Sequence, residues 1–316
     1  MHLIGFHDVM LYFFYTLAVF NHLTITIMKA HLNATWNRGD DEVKLFRKMS
    51  DILKSAYNVT FVEEVHRKYV DFLSSTISGN VRREIADLWI ISYSPIQGRA
   101  KMTFLQAKYH RGQLARPGVF KAEFFQYELL SERPLLTSGG TPNFPLDILK
   151  SSCCDSVGSY GVFYQDNNNQ IDLAYSSARL LSNTSSVPTA YTRSTIELQF
   201  SATAAAYQNC SCNSCQELNY TYSIDDFTTS VLNLEIGADL EYFSHIMRYI
   251  NSVLASVAPS PAVTGFISFI ADNDRGIPGR DGTDGGEGGA DNDGYKGDGL
   301  PCSLLIINVD IDEDKR

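Results

Sequence analysis

The sequence predicts an α/β protein, a mixed central β-sheet flanked by helices with an α+β C-terminal extension. Two apolar, β-branched-rich runs of strand length, Glu84-Ile-Ala-Asp87-Leu-Trp-Ile-Ile91 and Thr103-Phe-Leu-Gln106-Ala-Lys108, flank the turn-like Ser94-Pro-Ile-Gln-Gly-Arg99. Helix-period patterns stand on either side of this hairpin. A second strand pair and further apolar runs follow in the C-terminal half. At 316 residues, with 44% apolar and 20% charged side chains, the chain can bury a substantial core.

Taken in order, Asp40-Asp41-Glu42 precedes Leu45, Phe46, Met49, Ile52, Leu53 and Ala56. That spacing fits an amphipathic helix with acids at the end its dipole favours. Thr60, with Glu63 three residues on, has the pattern of a capping box. It predicts a second helix with Phe61, Val65, Tyr69, Phe72 and Leu73 inward, stopped by Ser78-Gly79-Asn80. After the hairpin, Val119 to Leu130 reads as a helix closed by Arg133-Pro134. Residues 136–150 read as a loop. Ser159–Tyr164 and Ile171–Tyr175 form a hairpin around a polar loop, Ala238 to Val257 reads as a helix, and Phe266–Ile270 and Leu304–Val309 read as strands.

Charged and amide groups lie in the middle of the first hairpin, where a purely structural strand disfavours them. An antiparallel pairing sets Asp87 beside Gln106 and Lys108, and residues two apart share one face of a strand. The bland alternative is a sheet with one wet face. Against it, Asp87 is flanked on both sides by apolar residues, and an unpaired carboxylate in such a setting is costly. A carboxylate, an amide oxygen and an ammonium on one face suit a Mg²⁺-dependent phosphodiesterase. Mg²⁺ takes a few oxygen ligands and keeps several waters, and a lysine beside it can orient the attacking water or stabilise charge on the phosphorane.

These residues resemble the PD-(D/E)XK nuclease superfamily, in the variant whose tripeptide begins with Gln. Asp87 and Gln106-Ala107-Lys108 match its motif, and the likeness spans roughly residues 55–135. The resemblance implies a restriction-endonuclease-like core and a preceding acid, for which Glu84 is the first choice and Glu63 or Glu64 the fallback. It further implies Asp87, Gln106 and Glu84 as Mg²⁺ (or Mn²⁺) ligands, Lys108 as the water-orienting residue, and DNA as the partner. Families of this kind occur in restriction and other defence systems, which leaves a homodimer and a defence-system partner protein open. Gln in place of an acid removes a negative ligand and keeps a catalytically silent DNA-binding module as the alternative. His110, Arg111 and Lys121 are candidate phosphate contacts, and Gln126 and Tyr127 stand on the helix expected near the site.

The chain carries a formal charge of -10. From Lys29 to Arg133, however, 17 Lys/Arg stand against 12 Asp/Glu, and from Leu135 onward 9 stand against 23. The positive excess falls on the segment with the candidate site, as phosphate contacts require.

The expected organisation is an apolar segment 1–27, a nuclease core 28–135, an extension 136–270, a Gly/Asp-rich loop 271–300 and a terminal strand with an acidic tail 301–316. Residues 9–28 are open to three readings: a packed helix, a membrane anchor, or an extension before a working start at Met28. Five Asn-x-Ser/Thr tripeptides, at Asn33, Asn58, Asn183, Asn209 and Asn219, matter only for a secreted chain. A cytoplasmic enzyme is the expectation, with a membrane-anchored interaction protein as the rival. Cys210, Cys212 and Cys215 lie within six residues. With Cys154, or its neighbour Cys153, they could form a structural Zn²⁺ site, although free thiols and disulfides stay open.

Overall fold

The computed structural model describes residues 28–63, 68–139, 143–191, 194–209, 216–240, 244–274 and 300–310. The apolar segment 1–27, Glu64, Cys210, Cys212, Cys215, most of the Gly/Asp-rich loop and the acidic tail lie outside these residues. Among the described residues, no helix is long and apolar enough to cross a membrane.

Helices α1 (Met28–Thr35) and α2 (Glu42–Leu53) precede strands β1 (Asn58–Val62), β2 (Tyr69–Leu73), β3 (Asn80–Glu84), β4 (Leu88–Ser94), β5 (Arg99–Gln113) and β6 (Val119–Glu123). Then come α3 (Phe124–Glu132), β7 (Leu136–Ser138), β8 (Gly158–Gln165) and β9 (Ile171–Ser177). The short strands β10 (Ser182–Asn183), β11 (Thr195–Gln199), β12 (Tyr207–Asn209), β13 (Gln216–Leu218) and β14 (Tyr220–Thr221) lead to α4 (Ile224–Leu232). The chain closes with β15 (Ala238–Asp239), α5 (His245–Ala255), α6 (Pro261–Asp274) and β16 (Ser303–Asn308).

The expected mixed sheet flanked by helices is present. Its strand order is β1-β16-β4-β5-β8-β9-β14, with β15 added beside β5. The pairs β16–β4 and β5–β8 are parallel, and the other pairs are antiparallel. Alternation along β4 builds both cores: Leu88 and Ile90 join Phe46 of α2 and Phe227 of α4, whereas Trp89, Ile91 and Tyr93 join Ile250 of α5 and Phe266 of α6. Trp89 is fully buried and stacks on Phe104 of β5, with ring centroids 5.5 Å apart. Among the described residues, three smaller sheets, β3-β2-β7, β10-β11-β6 and β12-β13, stand beside it. The central sheet takes strands from both sides of residue 135, so the expected extension is woven into the same sheet as β4 and β5 rather than appended to it.

Several expected elements form and others change type. The first hairpin, helix α2, the β8–β9 hairpin and strand β16 form as expected. The helix expected after Thr60 is instead β1 and β2, because Asn58–Val62 finds a partner in β16 and Tyr69–Leu73 pairs with β3 and β7. The helix expected from Val119 starts only at Phe124, since Val119–Glu123 pairs with β11. The helix expected from Ala238 is shortened to His245–Ala255, because Ala238 and Asp239 pair with β5. Phe266–Ile270, expected as a strand, lies inside helix α6. A short apolar run does not by itself distinguish a strand from a buried helical turn.

Candidate active site

Asp87 stands immediately before β4. The register pairs Leu88 with Leu105, which sets Asp87 opposite Gln106. The Asp87 carboxylate accepts a hydrogen bond from the Ala107 backbone N–H at 2.8 Å and a second from the Gln106 amide Nε2. Gln106 is buried and Lys108 half-buried, and the two share a face of β5. Burial pushes the Asp87 carboxyl from the ordinary 3.8 up to about 6. Lys108 and the Ala107 N–H act against that rise, and the charges of Glu84 and Glu42 add to it. Four of the expected residues, Asp87, Gln106, Lys108 and Glu84, therefore form one electrostatic neighbourhood.

Glu84 ends β3 in a neighbouring sheet, paired in register with Tyr69. Of the fallback acids, Glu63 pairs with Arg47 on the surface. The sequence reading passed over Glu42. It opens α2 directly after Asp41, whose side chain caps the helix by accepting from the Lys44 N–H at 2.9 Å. Glu42, Lys108, His110, Arg111, Lys121 and Glu197 contribute to the wall of one cavity of about 360 Å³. The three expected phosphate contacts His110, Arg111 and Lys121 thus share a cavity with the expected lysine. The signal for Glu42 was the acidic run at a helix start; its meaning depended on where α2 packs.

Tyr160 was also missed. It pairs in register with Gln106 across the parallel β5–β8 ladder. Its side chain is fully buried, and its hydroxyl has no hydrogen-bond partner. Burial, and then the charges of Glu123 and Asp87, push its phenol well above the ordinary value. Gln126, in the first turn of α3, spends its amide on the Ile85 carbonyl at 3.1 Å and so braces the segment leading to Asp87. Tyr127 donates to the Leu181 carbonyl and packs against the core.

The donors suit a hard, oxygen-seeking ion. Mg²⁺ asks for one or two carboxylates and keeps its remaining waters. Asp87 bears a carboxylate whose ionised form burial disfavours, the Glu84 and Glu42 charges act on it, and Tyr160, in register with Gln106, carries a buried hydroxyl with no hydrogen-bond partner. Among the described residues, no cluster of three or more His, Cys, Asp or Glu side chains is placed to hold a metal. Cys154 is buried, with its sulfur 3.8 Å from that of the exposed Cys153; the other three expected Zn²⁺ ligands lie outside the described residues. No protein-family model, curated protein or solved structure matches the chain.

Proposed function

We propose that the chain is a metal-dependent nuclease that hydrolyses DNA phosphodiester bonds, with a restriction-endonuclease-like core. The observation that carries this reading is the hairpin register, which brings the Asp87 carboxylate onto Gln106-Ala107 with Lys108 on the same strand face. Asp87 would hold Mg²⁺ or Mn²⁺ with Glu84 or Glu42, whose charges both act on it, as the second acid, and with the Gln106 side-chain oxygen as a neutral ligand once its amide rotates. A divalent ion held by these residues would supply an activated water and offset charge on the phosphate. Lys108 would orient the attacking water toward phosphorus or stabilise the extra charge as the phosphorane forms. His110, Arg111 and Lys121 bind flanking phosphates along the cavity.

A second reading, a DNA-binding module of the same fold without catalysis, is favoured by one contact: Gln106 presents its N–H, not its oxygen, to Asp87. Cleavage of plasmid and linear DNA with Mg²⁺ or Mn²⁺ separates the two. The nuclease reading expects metal-dependent nicking that Asp87→Ala and Lys108→Ala abolish. DNA binding without cleavage by folded wild type, in both metals and on single- and double-stranded substrates, supports the module.

A further inference from the structure

A second pocket, of about 370 Å³, is bounded by Tyr69, Arg82, Arg83 and Tyr191. Arg82 is exposed, and its guanidinium lies 5.5 Å over the Tyr69 ring. Arg83 packs against the rings of both Phe125 and Tyr191, 5.2 Å from each centroid. It is held there by a two-pronged pairing with Glu123 at 2.9 and 2.8 Å, and it also donates to the Arg82 carbonyl and the Tyr191 hydroxyl. Tyr191 is 52% exposed as a residue even though its hydroxyl is fixed. A large, pre-positioned aromatic face open to solvent costs little ordering entropy when it is covered.

Arg82 and Arg83 precede Asp87 by five and four residues along the chain. Four residues span at most roughly 14 Å, so the Arg83 backbone, on one side of the pocket, lies within that reach of Asp87. Stacking faces interleaved with guanidinium groups are how proteins hold unpaired bases together with their phosphates. We infer that this pocket binds an unpaired nucleobase of the strand that enters the Asp87 site, Tyr191 stacking on the base and Arg82 meeting its phosphate, so that the substrate is DNA with a single-stranded stretch. Arg83 is a positioning residue. This inference rests on the nuclease reading for the strand that enters the Asp87 site, and on the pocket alone for the unpaired base.

The test is binding of labelled single-stranded and fully paired oligonucleotides by the full chain in EDTA, which separates binding from cleavage. Wild type is expected to prefer the single strand. Tyr191→Ala should weaken that binding roughly 5- to 150-fold, while Tyr191→Phe, which keeps the ring, should bind nearly as wild type. Arg82→Gln should lower the salt dependence by about one phosphate contact. One abasic position should cost wild type about as much as Tyr191→Ala does, and cost Tyr191→Ala nothing further. Unchanged affinity in Tyr191→Ala with an unchanged thermal midpoint, or no sensitive abasic position, overturns the base pocket even if the protein cleaves DNA. Loss of single-strand binding in Tyr191→Ala by a protein that never cleaves keeps the pocket and removes the nuclease.

Discussion

Asp87→Asn is expected to stabilise the metal-free protein while destroying the proposed catalysis. The carboxyl is raised because burial opposes its charge, and the charges of Glu84 and Glu42 add to the effect. A raised acid opposes folding when ionised. Its cost is fully present above the folded pKa of about 6 and disappears below the ordinary 3.8. Each tenfold change in acidity is worth about 1.4 kcal/mol, so the displacement from 3.8 to about 6 amounts to roughly 3 kcal/mol against folding at about pH 8. Asn keeps an acceptor for the Ala107 N–H but leaves its own amide incompletely paired, a loss of about 1 kcal/mol. The net gain is about 1–2 kcal/mol at about pH 8, shrinking to nothing or reversing near about pH 4. Urea unfolding in EDTA across that range, followed by tryptophan fluorescence, measures it. Adding Mg²⁺ at roughly ten times its dissociation constant should then stabilise wild type by about 1.4 kcal/mol and leave Asp87→Asn unmoved. A variant no more stable than wild type at about pH 8, or a difference indifferent to pH, would refute the claim that the Asp87 charge is held at a cost.

Glu42→Gln is expected to shift the Mg²⁺ dependence of cleavage to concentrations about tenfold higher, as loss of one of two ligating charges would; superimposable metal titrations remove Glu42 from the site. Because burial holds Asp87 protonated below about 6, cleavage at subsaturating metal should climb as pH rises through that value, and a rate flat across it counts against Asp87 as a ligand. Gly237→Ala should lower stability by more than about 2 kcal/mol, since a Cβ there meets the Met102 carbonyl oxygen at 2.3 Å from a φ of +99°; a thermal midpoint within a few degrees of wild type contradicts the β15–β5 contact. Lys29→Met strands the buried Asp172, whose carboxylate lies 2.6 Å from the Lys29 ammonium, and should cost about 3 kcal/mol in chemical denaturation. A loss below about 1 kcal/mol would mean that the pair behaves as an exposed one.

What the sequence by itself determined was local. The 3.6 period of Leu45, Phe46, Met49 and Leu53 after Asp41 specifies α2 because the cap and the buried stripe lie within one short stretch. The hairpin placed Asp87 against Gln106 because a turn of a few residues sets the register and period-two alternation sets the face. The type of Asn58–Val62 was not legible in the same way: its five residues become a strand because β16, some 250 residues later, lies beside them. Val119–Glu123 likewise depends on β11. A second acid was not legible for the same reason. Glu84 is near Asp87 in sequence, whereas Glu42 reaches the cavity only because α2 packs against the sheet. Tyr160 owes its place opposite Gln106 to a parallel pairing, whose partners must be joined by a long crossover. Local periodicity and capping act within a turn or two of chain, while strand partners, parallel register and the burial that shifts a carboxyl arise only when distant segments meet.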